Sequence, residues 1–230
     1  MIINNKEVKK NFTKSELKKM DKCMKLYNSL EEYEKIELNN MLSEEGRDFI
    51  RFYLLPNTMI AKYKNHKYDN IRDVRNCPTM ALTFLVNEVL EAMTLLDFQK
   101  KGYSLIYNEA ATRTNSKGKA NSNADFVLKY NNEEILVELQ TYMKEKDSFR
   151  IKQTKHVSLM QKVLKGKKVI LLNKYITNDE VYYTYIDYNK VIDEDLYSYV
   201  TDNKTLFGGK VCIEVKAPEV KIMENLCVAF

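Results

Sequence analysis

The run from Asp125 to Gln140, Asp-Phe-Val-Leu-Lys-Tyr-Asn-Asn-Glu-Glu-Ile-Leu-Val-Glu-Leu-Gln, constrains the fold more than any other part of the chain. Asn131-Asn132 is a tight-turn pair between two β-rich stretches. A two-residue turn sets Asp125 opposite Glu138, and a four-residue loop sets it opposite Gln140. A three-residue loop would turn Asp125 to the other face. In the first two registers Asp125, Glu138 and Gln140 project from one side, because side chains alternate with period two. Ile135, Val137 and Leu139 face the opposite way, while Leu136 lies on the acidic side. A strand apolar on both faces belongs in the middle of a sheet. Carboxylates in that setting are costly unless paired or bound to a cation, and like charges facing each other weaken a hairpin. A divalent cation held by oxygen atoms resolves both problems. Mg²⁺ (or Mn²⁺) suits a site of few carboxylates, water and phosphate oxygens.

The rest of the chain supplies helices around this hairpin. Residues 13–55 read as successive helices, with capping-box patterns at Thr13 to Glu16 and Ser29 to Glu32. Leu17, Met20, Met24 and Tyr27 follow at helical spacing. A longer helix is predicted from Pro78 to Lys101, with buried stripe Leu85, Val89, Ala92, Met93 and Leu96 and a stop at Gly102. Strands are expected at Ser104 to Tyr107, Ala124 to Tyr130, Ile135 to Tyr142, Val169 to Leu172 and Val181 to Ile186. Helices are expected at Ser148 to Leu164 and Asn189 to Val200, with two C-terminal strands after the Gly208-Gly209 turn. The order gives an α/β chain in three parts: an N-terminal helical region at 1–77, a core at 78–175, and a C-terminal β-containing extension at 176–230.

Composition narrows the chemistry. Only His66 and His156 are present, and Cys23, Cys77, Cys212 and Cys227 lie far apart in sequence, which argues against a zinc site and for reduced thiols in a cytoplasmic protein. The polar, lysine-rich start does not resemble a secretory signal, and no stretch approaches the roughly 18 apolar residues of a membrane helix. The net charge of +5 is compatible with a polyanionic partner.

An Asp, a short hairpin and Glu-x-Gln in the second strand, all after a helix, resemble the PD-(D/E)XK nuclease superfamily over roughly residues 79 to 175. The resemblance implies a restriction-endonuclease-like core, a mixed central sheet flanked by helices, and Mg²⁺-dependent phosphodiester hydrolysis. It implies Asp125 and Glu138 as metal-binding acids, a backbone carbonyl from Leu139, and a further acid from the preceding helix, Glu88 or Glu91, of which Glu88 borders the buried stripe. Ala124 stands where the family often has proline. Gln140 stands where lysine is usual, and glutamine can orient water but carries no charge. Some active members of the family resemble this Glu-x-Gln variant as it stands; the alternative is that Lys144, Lys152 or Lys155 supplies the charge.

Lys117 and Lys119 in the preceding loop, and Arg150, Lys152 and Lys155 beside the acids, are the candidate nucleic-acid contacts. Glu214-Val-Lys216 fits the family's Glu-x-Lys spelling better, but too little chain follows it to complete such a core. The functional expectation is a DNA endonuclease of the type II restriction kind, acting as a homodimer. Its rivals are a repair, recombination or mobile-element nuclease and an inactive DNA-binding module.

Overall fold

The computed structural model describes residues 14–52, 78–108, 124–146, 148–177, 180–201, 211–216 and 220–222. The chain forms two compact units, Met1–Leu96 and Asp97–Phe230. In the first, helices α1 (Lys14–Asn28), α2 (Glu32–Met41) and α3 (Glu44–Phe52) precede α4 (Pro78–Lys100), within which the boundary falls. Met20, Cys23, Leu38, Phe49, Leu85, Val89, Leu90 and Met93 are buried. Pro78 opens α4 at the position where a missing N–H costs least. Gly102 ends it at φ +86°, as Tyr103 N–H donates to the Phe98 carbonyl and Gly102 N–H to that of Gln99. The capping pattern read at Ser29 belongs two residues later: Glu34 accepts from Glu31 N–H at 2.8 Å, while the Ser29 hydroxyl donates back to Leu26 O. The pattern at Thr13 begins outside the described residues.

The second unit is built on a mixed sheet. Its strands are β1 (Ser104–Asn108), β2 (Phe126–Tyr130), β3 (Glu133–Tyr142), β5 (Lys168–Ile176), β6 (Val181–Asp187) and β9 (Val220–Ile222), in the order β1-β2-β3-β5-β6-β9. β3 is central, antiparallel to β2 and parallel to β5. The β2–β3 turn has two residues: Tyr130 pairs with Glu133, and Asn131 and Asn132 take φ of 48° and 66°. Those left-handed values match the strand twist and suit asparagine. Phe126 pairs with Val137, so Asp125, one residue earlier, comes level with Glu138.

A smaller sheet of β4 (Phe149–Lys152), β8 (Val211–Val215) and β7 (Tyr197–Thr201), in that order, joins it. Helices α5 (Gln153–Val163) and α6 (Tyr188–Asp193) complete the unit. Leu136 packs in one core with Phe149, Ile151, Leu159, Val163, Leu171, Ile186, Val191, Ile213 and Val215. The acidic face of β3 therefore looks toward α5, α6 and the small sheet. On the opposite face, Tyr183 meets Phe98 and Asp97 of α4's last turn, and Lys174 lies over the Tyr183 ring.

Two expected helices differ. Residues 149–152 form β4, because Phe149 and Ile151 alternate with exposed Arg150 and Lys152 and pair with a strand about sixty residues away. The helix expected at Asn189 to Val200 stops at Asp193. Asp187 caps its start, Asp195 takes φ 52°, and the chain turns into β7. The Gly208-Gly209 turn lies outside the described residues. No helix among them is long and apolar enough to cross a membrane.

Candidate active site

Three elements bring three charged side chains together. Asp125 precedes β2, Glu138 lies on β3, and Lys155 lies in the first turn of α5. Lys155 Nζ is 2.8 Å from Glu138 Oε2 and 3.5 Å from Asp125 Oδ1. The other Asp125 oxygen, Oδ2, accepts from Leu139 N–H at 2.8 Å. The side chains of Lys155, Glu138 and Asp125 are 14%, 12% and 8% exposed, so the contacts are poorly screened by water.

The position of Lys155 follows from helix geometry. Leu159 and Val163 form the buried stripe of α5, and one turn toward the N-terminus at the same spacing reaches Lys155. A cation in a first helical turn opposes the helix dipole, and burial adds desolvation. The two carboxylates offset both. Of the lysines considered as substitutes for the residue expected at 140, Lys155 reaches the acids, whereas Lys144 and Lys152 are exposed.

Gln140 is held between strands. Its Oε1 accepts from the Tyr142 hydroxyl and its Nε2 donates to the Arg150 carbonyl at 3.3 Å. The amide orientation is thus set by a donor on one side and an acceptor on the other. Tyr142, two residues along the same face, stacks on Tyr175, which stacks on Tyr182. The sequence reading gave these tyrosines no part beside the site; the period-two spacing of Gln140 and Tyr142 was the signal available.

Beside Lys155, His156 is fully buried, with Nδ1 2.6 Å from the Tyr188 hydroxyl and Nε2 without a hydrogen-bond partner among the described residues. Burial lowers the His156 pKa from its usual value. Burial, reinforced by the negative charge of Glu138, raises that of Tyr188. The rings of Tyr197 and Tyr199 also flank the imidazole.

The remaining candidates make other contacts. Glu88 accepts from Ser43 N–H at 2.6 Å and from the Ser43 hydroxyl at 3.0 Å, within the first unit. Glu91 is buried there; burial lowers the Lys19 pKa, and the negative charge of Glu91 partly opposes that shift. Arg150 donates from Nε and Nη2 to Glu214 Oε1 at 3.1 and 3.0 Å, which holds the Glu214 carboxyl below its usual pKa. Glu214, from the alternative Glu-x-Lys spelling, is thus a cross-strand partner of β4. Lys152 is exposed. Lys117 and Lys119 lie outside the described residues. No cluster of three or more His, Cys, Asp or Glu able to hold a metal occurs among the described residues.

No family model matches the sequence, and no curated protein matches it. Among solved structures the chain is similar to Hjc, a Holliday junction resolvase from the archaeal hyperthermophile Archaeoglobus fulgidus. That similarity has 9% identity and a TM-score of 0.35, and covers 55% of this chain and 84% of the other.

Proposed function

We propose that this chain is a metal-dependent nuclease of the PD-(D/E)XK kind, hydrolysing phosphodiester bonds in DNA. The observation that supports the reading best is the convergence of Asp125 and Glu138 with the Lys155 ammonium. Two acids and a lysine from separate elements, each with a side chain 8–14% exposed, form an arrangement that is costly to desolvate and typical of functional sites.

The donor set suits a hard divalent cation. Asp125 and Glu138 are oxygen donors, and with one ammonium between them the group keeps a net negative charge. Leu139 N–H points to Asp125, and the N–H and C=O of a strand residue point the same way, so the Leu139 carbonyl shares that edge. Asp125, Glu138 and the Leu139 carbonyl are the groups that would hold Mg²⁺ or Mn²⁺. When bound, the cation supplies positive charge to the scissile phosphate and makes a hydrolytic water more acidic.

The chain's own residues do the rest. Leu139 N–H orients Asp125. Lys155 offers an ammonium to the phosphate oxygens as negative charge develops. Gln140, fixed by Tyr142 and Arg150, ties β3 to β4 and so places Lys152 and α5 beside the acids. Exposed Lys152 is suited to contacts with the flanking phosphates. Lys155 supplies the charge that Gln140 lacks, and this favours an active enzyme over an inactive DNA-binding module.

Within the class, a type II restriction endonuclease working as a homodimer is the preferred form, with a recombination or repair nuclease next. Supercoiled plasmid incubated with the purified chain and Mg²⁺ tests all of this. Discrete fragments are expected for a restriction enzyme, and selective cutting of branched DNA for a recombination nuclease. Cleavage should vanish with chelator and in Asp125→Ala and Glu138→Ala. Undiminished cleavage by a folded double variant would falsify the site.

A further inference from the structure

The acid pair already has a cation. Lys155 Nζ contacts one oxygen of each acid, and the second oxygen of Asp125 is taken by Leu139 N–H. At least three of the four carboxylate oxygens thus lie against an ammonium or an N–H before any ion arrives. We propose that Lys155 is the resident counter-ion of this pair and sets the site's affinity for a divalent cation by competing for the same oxygens; the inference rests on the metal-nuclease reading above.

The competition follows from charge and placement. Two cations sharing carboxylates at contact distance repel, and with side chains only 8–14% exposed that repulsion is weakly screened. Lys155 is also disfavoured by its place in the helix. It sits in the first turn of α5, where the helix dipole disfavours a cation, and that turn contains no acidic residue. Occupation of the acids by a divalent ion therefore loosens the ammonium, whose flexible stem can carry it to a substrate phosphate. A lysine on a helix, separate from both acid-bearing segments, can make that exchange without moving β3.

Titration calorimetry of Mn²⁺ into the full chain at pH 8 tests the proposal. The comparison is between wild type, Lys155→Met, Lys155→Arg and the double variant Asp125→Asn/Glu138→Gln, with circular dichroism to establish folding. Lys155→Gln runs in parallel and carries the comparison if the methionine variant does not fold. Removing the ammonium is expected to tighten Mn²⁺ binding by about tenfold or more, while arginine keeps wild-type affinity and the double variant loses the site. Equal or weaker binding without the lysine charge, with the double variant still abolishing it, overturns the counter-ion role and leaves the nuclease reading standing. Binding that the double variant does not alter removes the metal site, and both inferences with it.

Discussion

At the scale of single residues, the cation beside the acids does not come from the strand that carries Glu138. Position 140 holds a glutamine whose amide is engaged by Tyr142 and Arg150, and the ammonium arrives from α5. Lys155 and Lys152 are three positions apart, yet one is half-buried against two carboxylates and the other exposed. Their substitutions should separate accordingly. Lys155→Ala is expected to lower single-turnover cleavage by about 10²–10³-fold, the range seen when a group stabilising developing charge is removed. Lys152→Ala should leave that rate near wild type and weaken DNA binding, with a shallower salt dependence in a fluorescence-anisotropy titration. Equal losses of rate in both would remove the distinction. The sequence narrowed the choice to three lysines; selecting one needed the register of α5 over the sheet, which no local pattern encodes.

At the scale of elements, two junctions differ in how much of their geometry is local. Asn131 and Asn132 both adopt left-handed φ, and the turn they make puts Asp125 level with Glu138. Glycine at the second position makes the favoured Asn-Gly pair, so Asn132→Gly should keep the register and raise stability by a few tenths to about 0.5 kcal/mol in urea unfolding. The start of α3 is different. Ser43 accepts from Gly46 N–H, while Glu88 holds the Ser43 N–H and hydroxyl. A Cβ on Gly46 would meet Glu88 Oε1 at 2.7 Å. Alanine there should bring none of its usual helix gain in wild type, but about 0.5–1 kcal/mol in a Glu88→Ala background, read by a double-mutant cycle. Glu88, one of the two α4 acids expected to serve the metal, thus holds the residue before α3. Its place beside the buried stripe was legible; the partner, 45 residues earlier, was not.

At the scale of the whole molecule, a buried histidine ties stability to pH. His156 is enclosed with Tyr188, Tyr197 and Tyr199, and burial depresses its pKa. Below about pH 6.5 the unfolded chain takes up a proton that the folded chain refuses. The stability from keeping His156 neutral is therefore complete above that pH and declines as pH falls toward the folded-state pKa. The urea midpoint of the wild type should fall between pH 7.5 and 5.5, and the gap separating it from His156→Gln should narrow over the same interval. A constant gap would remove His156 as the cause.

The amino-acid sequence by itself marked the hairpin, the central place of β3 and the two turn lengths that give Asp125 and Glu138 a shared face, of which the structure has the two-residue turn. All of these follow from alternation and turn chemistry within sixteen residues. It also marked most helices and strands, through apolar spacing and caps. Only the tertiary structure decided that residues 149–152 are a strand, since their partner β8 lies about sixty residues away. It also decided that Lys155 enters the acid pair, that Arg150 belongs to Glu214, and that Glu88 holds Ser43. Local periodicity reports which side of an element is buried, whereas pairing across long sequence separations depends on how distant elements pack.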